Sequence, residues 1–164
     1  MKHRYAFSAA IAAIALVASS STFANDDTLE KAIRNVRGQT GGTLVSIHPN
    51  AGGRQFEAVL IDPNGIVKTA LYRTAGQTVE SVGPSTREEA RPDAKAIRSA
   101  TVSLSKAVET AEEITGGEAI AAEFFADPGA DVLAYRVTMA DRSGREIFVD
   151  ARSGEELPAA SLRF

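Results

Sequence analysis

No cysteine occurs among the 164 residues, which excludes disulfides, thiolate nucleophiles and cysteine-based zinc sites. A lipid carried on a processed N-terminal cysteine is excluded with them. Histidine is scarce too. Of the two present, His3 sits in the basic N-terminal stretch, so His48 alone remains for the folded protein. A lone histidine on a strand is ordinarily a surface or packed residue, and a zinc site around it would need carboxylates placed by the fold. No serine lies in a Gly-x-Ser-x-Gly elbow, so Ser-His-Asp chemistry has no visible nucleophile. Gly52-Gly53-Arg54 and Gly116-Gly117 lack the strand-to-helix setting of a phosphate loop. A long apolar run is also missing: Ala9 to Ala18 falls short of the roughly 20 residues a membrane span requires. Nor is there an excess of positive charge. Lys and Arg number 18 against 21 Asp and Glu, a net −3, and no strand interleaves basic and aromatic residues as a single-strand nucleic-acid binder does.

What is present begins with a leader. Lys2, His3 and Arg4 precede the short apolar run, and Thr22-Phe23-Ala24 supplies small residues at the two positions a signal peptidase reads. A signal peptide over 1–24 is therefore expected, cleaved before Asn25, with a periplasmic or secreted product that is not inserted in the membrane. Losing Lys2 and Arg4 takes the net charge from −3 to −5, ordinary solubilising charge. The acidic pairs Asp26-Asp27, Glu88-Glu89, Glu112-Glu113 and Glu155-Glu156 lack the alternating oxygens of a calcium loop and read as solvated surface. No cofactor or metal is expected.

The remainder repeats itself. Leu29, Ala32, Ile33 and Val36 follow the spacing of one helix face, and Leu104, Ala107, Val108 and Ala111 follow it again, with Ile114 extending the second. Thr28 and Ser103 are placed to cap the two helices, and both run into Thr-Gly-Gly, a helix stop. Three strands are expected after each stop: near Leu44–His48, Gln55–Ile61 and Ile66–Tyr72, then near Ala119–Phe125, Val132–Ala140 and Glu146–Ala151. An Asp-x-x-Gly turn, Asp62 to Gly65 and Asp141 to Gly144, separates the last two in each set. The expected organisation is α+β with two tandem repeats, 25–82 and 93–164, joined by a polar linker at 83–92. Each repeat is a helix, or helix pair, on a small antiparallel sheet of three to four strands. A module of about 60 residues is marginal alone, so a shared core or interface is expected. A short helix near Asp93 to Ala100 leads into the second main helix.

A three-residue loop at Arg142-Ser143-Gly144 would pair Met139 with Ile147, Val137 with Val149 and Tyr135 with Ala151 on a buried face, and Arg136 with Asp150 and Thr138 with Phe148 on the other. The strand at 55–61 is apolar on both sides, Phe56, Ala58 and Leu60 against Val59 and Ile61. Either it is covered twice or it presents an apolar surface.

The Ser-Leu helix start, Tyr135-x-Val137, the Asp-x-x-Gly turn and Val149-Asp150-Ala151-x-Ser153-Gly154 before Leu157 resemble a PepSY domain over about 93–158. The first repeat is similar but degenerate. The resemblance implies a non-catalytic module related to peptidase pro-regions. In tandem its architecture is similar to that of the β-lactamase inhibitory protein, in which an open sheet face grips a partner. The expected function is thus an exported binding module, with a peptidase or another envelope protein as partner. An accessory role without inhibition is the alternative, and an enzyme whose site the sequence hides is a distant third. Candidate partner-surface residues are the aromatics Tyr72, Phe125 and Phe148, whose other reading is burial between the repeats. Phe124 and Phe125 are adjacent on a strand and must face opposite ways. A protruding loop near 126–131 is a further candidate.

Overall fold

A computed structural model describes residues 28–50, 54–85, 94–127 and 131–162. The expected leader, most of the expected linker and the middle of the candidate loop near 126–131 lie outside them. The two main helices form as their caps dictate. In α1, Leu29–Thr40, the Thr28 hydroxyl accepts from the Lys31 N–H at 3.3 Å, and Gly41 closes the helix at φ +66°. In a second helix, Leu104–Thr115, Ser103 accepts from Lys106 N–H at 3.3 Å and Gly116 stands at φ +64°. The left-handed conformation at both stops is what makes glycine suitable there. Between these helices lies a shorter one at Ala94–Ser99. In chain order the three are α1, α2 and α3.

Four strands follow α1: β1 Thr43–Pro49, β2 Gln55–Ile61, β3 Val67–Arg73 and β4 Thr78–Pro84. Four follow α3: β5 Ala119–Asp127, β6 Val132–Met139, β7 Glu146–Asp150 and the two-residue β8 Glu156–Leu157. All eight join one antiparallel sheet in the order β4-β3-β2-β1-β5-β6-β7-β8. The first strands of the two sets meet at its centre, pairing Ser46 with Glu123 and Ile47 with Ala122.

The main core is continuous across both halves. Leu29, Ala32, Ile33 and Val36 of α1 and Leu104, Ala107, Val108 and Ala111 of α3 are all buried, packed with Phe56, Ala58, Leu60, Tyr135, Val137 and Val149 from the sheet. Ile114 departs from expectation. It is 45% exposed and does not extend the buried stripe of α3.

On the reverse of β2, Val59 and Ile61 form a second small cluster with Val45, capped by Ile97 of α2. The strand that is apolar on both sides is therefore covered on both sides, the second time by an element from the other half of the chain.

The β6–β7 register differs from expectation by two residues. Tyr135 pairs with Val149, Val137 with Ile147 and Arg136 with Phe148. The physical reason is the Asp141 carboxylate, which accepts from the Ser143 N–H at 3.1 Å and the Arg145 N–H at 2.9 Å. The loop is thereby lengthened until the Met139 N–H donates to the Arg145 carbonyl. Because strand faces alternate with period two, a two-residue shift keeps every side chain on its expected face. Met139, Tyr135, Val137, Ile147, Val149 and Ala151 are all buried, as the pattern requires.

Candidate partner-binding surface

With both long helices on one face of the sheet, the chemistry on its other face is set by strand alternation. Ser46 and His48 of β1, Glu123 and Phe125 of β5, Arg136 of β6, and Glu146 and Phe148 of β7 share that face by register. Their charged members form a ladder across four strands. His48 Nε2 lies 3.4 Å from Glu123 Oε2, an ion pair in the imidazolium form. Arg136 contacts Glu123 and also reaches Glu146 at 3.6 Å. The ladder crosses the central β1–β5 seam, so it ties the two halves of the sheet together. The expected Arg136–Asp150 pairing is replaced by these contacts, because the register shift puts Phe148 opposite Arg136.

Glu123 is the hub. Its hydrogen bond to His48, and after it the charge of Arg136, hold its carboxyl below the ordinary value of 4.5, against the opposing effect of partial burial. A carboxylate with a depressed folded-state pKa adds stability above its unfolded pKa and loses it as pH falls through the folded one. Acidification below about pH 4.5 should therefore weaken the fold in part through this residue. Glu123→Gln should be less stable than wild type at pH 7, by no more than about 1 kcal/mol for a partly solvated network, and its stability should fall less steeply on acidification. Denaturant titrations from pH 7 to pH 3 check this. Parallel curves for the two proteins would remove Glu123 from the acid response.

Of the three aromatic candidates, only one keeps substantial access to solvent. Phe125 is half-buried on the face that neither long helix covers. Phe148 lies on the same face but is 4% exposed, with its ring edge-to-face against Phe125 at 6.4 Å and 70°. Tyr72 is placed elsewhere. It is 1% exposed in the core beneath the helices, where its hydroxyl accepts from Asn35 Nδ2 at 2.7 Å. Tyr72 belongs to the core that α1 and α3 share with the sheet. Phe124 turns the other way from Phe125, as adjacent strand residues must. It meets Tyr135 edge-to-face at 5.5 Å. Tyr135 donates to the Val102 carbonyl at 2.7 Å, and burial pushes its phenol up to about 12.

Sequence reasoning missed the ladder. Its signal, a histidine near the end of the first strand of one set and a glutamate at the middle of the first strand of the other, becomes visible only when those strands are placed side by side. Among the described residues no group of three His, Cys, Asp or Glu side chains comes together to hold a metal. No helix among them is long and apolar enough to cross a membrane.

Residues 101–157 match the family model described as PepSY, peptidase propeptide and YPEB domain. The match takes in α3 and β5 to β8. A crystal structure of a protein described as "a putative lipoprotein", from Clostridium difficile 630, is similar at 14% identity, covering 81% of this chain and 97% of that one with a TM-score of 0.45. No curated protein matches the chain.

Proposed function

We propose, from the premise that residues 101–157 are a PepSY domain, that the chain is an exported, non-catalytic module that binds a peptidase through the sheet face that neither long helix covers. The observation that carries this reading is the family match itself, whose description links the domain to peptidase propeptides. The face offers a central charged ladder with a half-buried ring, Phe125, beside it. Aromatic anchors beside polar groups are what protein interfaces favour. Cleavage after Ala24 would deliver the module to the periplasm or the medium.

The chain is further inferred to be a duplication. Each half has the order helix, then four strands, and each helix begins at a capping hydroxyl and ends at a left-handed glycine. The sheet order runs outward from the β1–β5 seam in the same sense on both sides.

An accessory role without inhibition is the second reading. It is favoured by the burial of Tyr72 and Phe148, which leaves one of three aromatics to a partner. Phe125→Ala separates the two. If the face is an interface, the mature variant should capture its peptidase about 10-fold or more weakly than wild type, with a loss of stability smaller than burial of a whole ring would give. Unchanged capture and unchanged inhibition of the secreted peptidases would overturn the peptidase reading.

A further inference from the structure

Among the described strands β4 is terminal, paired with β3 and with no other. Such an edge presents backbone N–H and C=O groups that invite a further strand. The opposite edge is only the two residues of β8. β4 runs for seven, and its Val82 is 47% exposed.

The direction of each backbone group on β4 follows from one hydrogen bond. The Ser85 N–H donates to the Val67 carbonyl at 3.3 Å, so Ser85 turns its backbone groups toward β3. Alternation along the strand turns those of Gly83 and Ser81 inward as well, and those of Val82 outward, to the open side. Between Ser81 and Val79 the register slips, with Glu80 as the extra residue of a bulge. Past that bulge the outward groups are the Val79 N–H and the Gln77 carbonyl. One side chain takes both. The Gln39 carboxamide of α1 accepts from the Val79 N–H at 2.8 Å and donates to the Gln77 carbonyl at 2.9 Å. A residue of a parallel ninth strand, set beside Thr78, would make the same two bonds. At the other end stands Pro84, which has no N–H to offer.

We propose that Gln39 is an edge lock, which keeps a second copy of this chain from pairing its β4 with this one. The excluded occupant is a copy because the outward groups of Val82 are self-complementary. In an antiparallel pair about a two-fold axis, the Val82 N–H of each chain meets the Val82 carbonyl of the other. The rest of each strand must then run past Val79 of the other copy, through the place that the Gln39 carboxamide holds.

Hydrogen exchange on the unaltered mature chain tests the lock without any substitution. Relative to its intrinsic rate, the Val79 amide should exchange about 5-fold or more slowly than the Val82 amide, the effect of one hydrogen bond. Equal protection of the two would overturn the lock. Sedimentation velocity then tests what the lock excludes. Gln39→Ala should shift toward dimer as protein concentration rises, under conditions where wild type does not, and an unchanged distribution would overturn the proposal. Adding Val82→Pro removes the outward N–H at an edge position that tolerates proline, and should abolish the shift. A dimer that survives the proline joins through another surface, which overturns the assignment to β4. Gln39→Glu keeps the acceptor for Val79 and loses the donor to Gln77, so it should associate to an intermediate degree. Wild-type behaviour of that variant would overturn the two-bond lock. None of these readouts involves a peptidase, so the lock stands or falls apart from the binding role tested by Phe125→Ala.

Discussion

Phe148→Ala is expected to destabilise the protein by about 3–5 kcal/mol, the usual cost of deleting a buried phenylalanine, although the residue stands on the face that no long helix covers. Its ring is 4% exposed and sits between cross-strand neighbours Arg136 on β6 and Leu157 on β8, against the edge of Phe125. Truncation removes the ring pair and leaves a cavity that two neighbouring strands cannot close, because both are fixed by their ladders. Phe125→Ala removes the same pair from a half-buried position, so its loss should be smaller. Urea denaturation of the two variants beside wild type decides the matter. Near-equal losses would mean that Phe148 contributes nothing beyond the contact with Phe125, and that its burial is not a packing requirement.

Tyr72→Ala should cost a similar amount, again about 3–5 kcal/mol, for a different reason. Tyr72 lies under α1 and is 1% exposed, in a register that sets it beside Phe56 on β2 and Val79 on β4. It is the largest of the fully buried side chains, so its removal opens the widest void between α1 and the sheet. The hydroxyl contributes separately. Tyr72→Phe keeps the ring and leaves the Asn35 amide without this acceptor, at a cost of about 1 kcal/mol, near the low end because Asn35 is half-buried and can turn to water. The paired variants divide packing from hydrogen bonding. If Tyr72→Phe were as damaging as Tyr72→Ala, the polar contact rather than the volume would organise this side of the core.

The two long helices were legible because three independent signals agree at each: a capping hydroxyl, a four-residue apolar stripe and a terminal glycine pair. β4 was not legible. Its sequence, Thr78 to Pro84, is mostly exposed and ends in glycine and proline, and only Val79 packs against the core. What holds its start is a side chain far away in sequence: Gln39 of α1 accepts from the Val79 N–H at 2.8 Å and donates to the Gln77 carbonyl at 2.9 Å. No local pattern announces such a clamp. The β6–β7 faces were legible from alternation alone, whereas their register was not, because it turns on how many N–H groups the Asp141 carboxylate collects. Tyr72 and Phe148 were read as candidates for a partner surface, and both side chains are buried. Whether a ring on a strand meets solvent depends on what lies over it, which the strand's own pattern does not encode.

The sheet order has a kinetic side. Nearly every ladder in it joins strands that follow one another along the chain, the kind of local pairing that closes quickly. The exception is β1 with β5, where Ser46 and Glu123 stand more than seventy positions apart. Loop-closure entropy has to be met before that contact returns anything, and chains dominated by such distant pairings fold slowly. The topology concentrates its long-range cost in a single seam, between two meanders that are each cheap to form. The same seam is where a second molecule could intervene. A swapped dimer closed by the same Ser46–Glu123 pairing competes during refolding only where other chains approach the effective concentration of the chain's own other half.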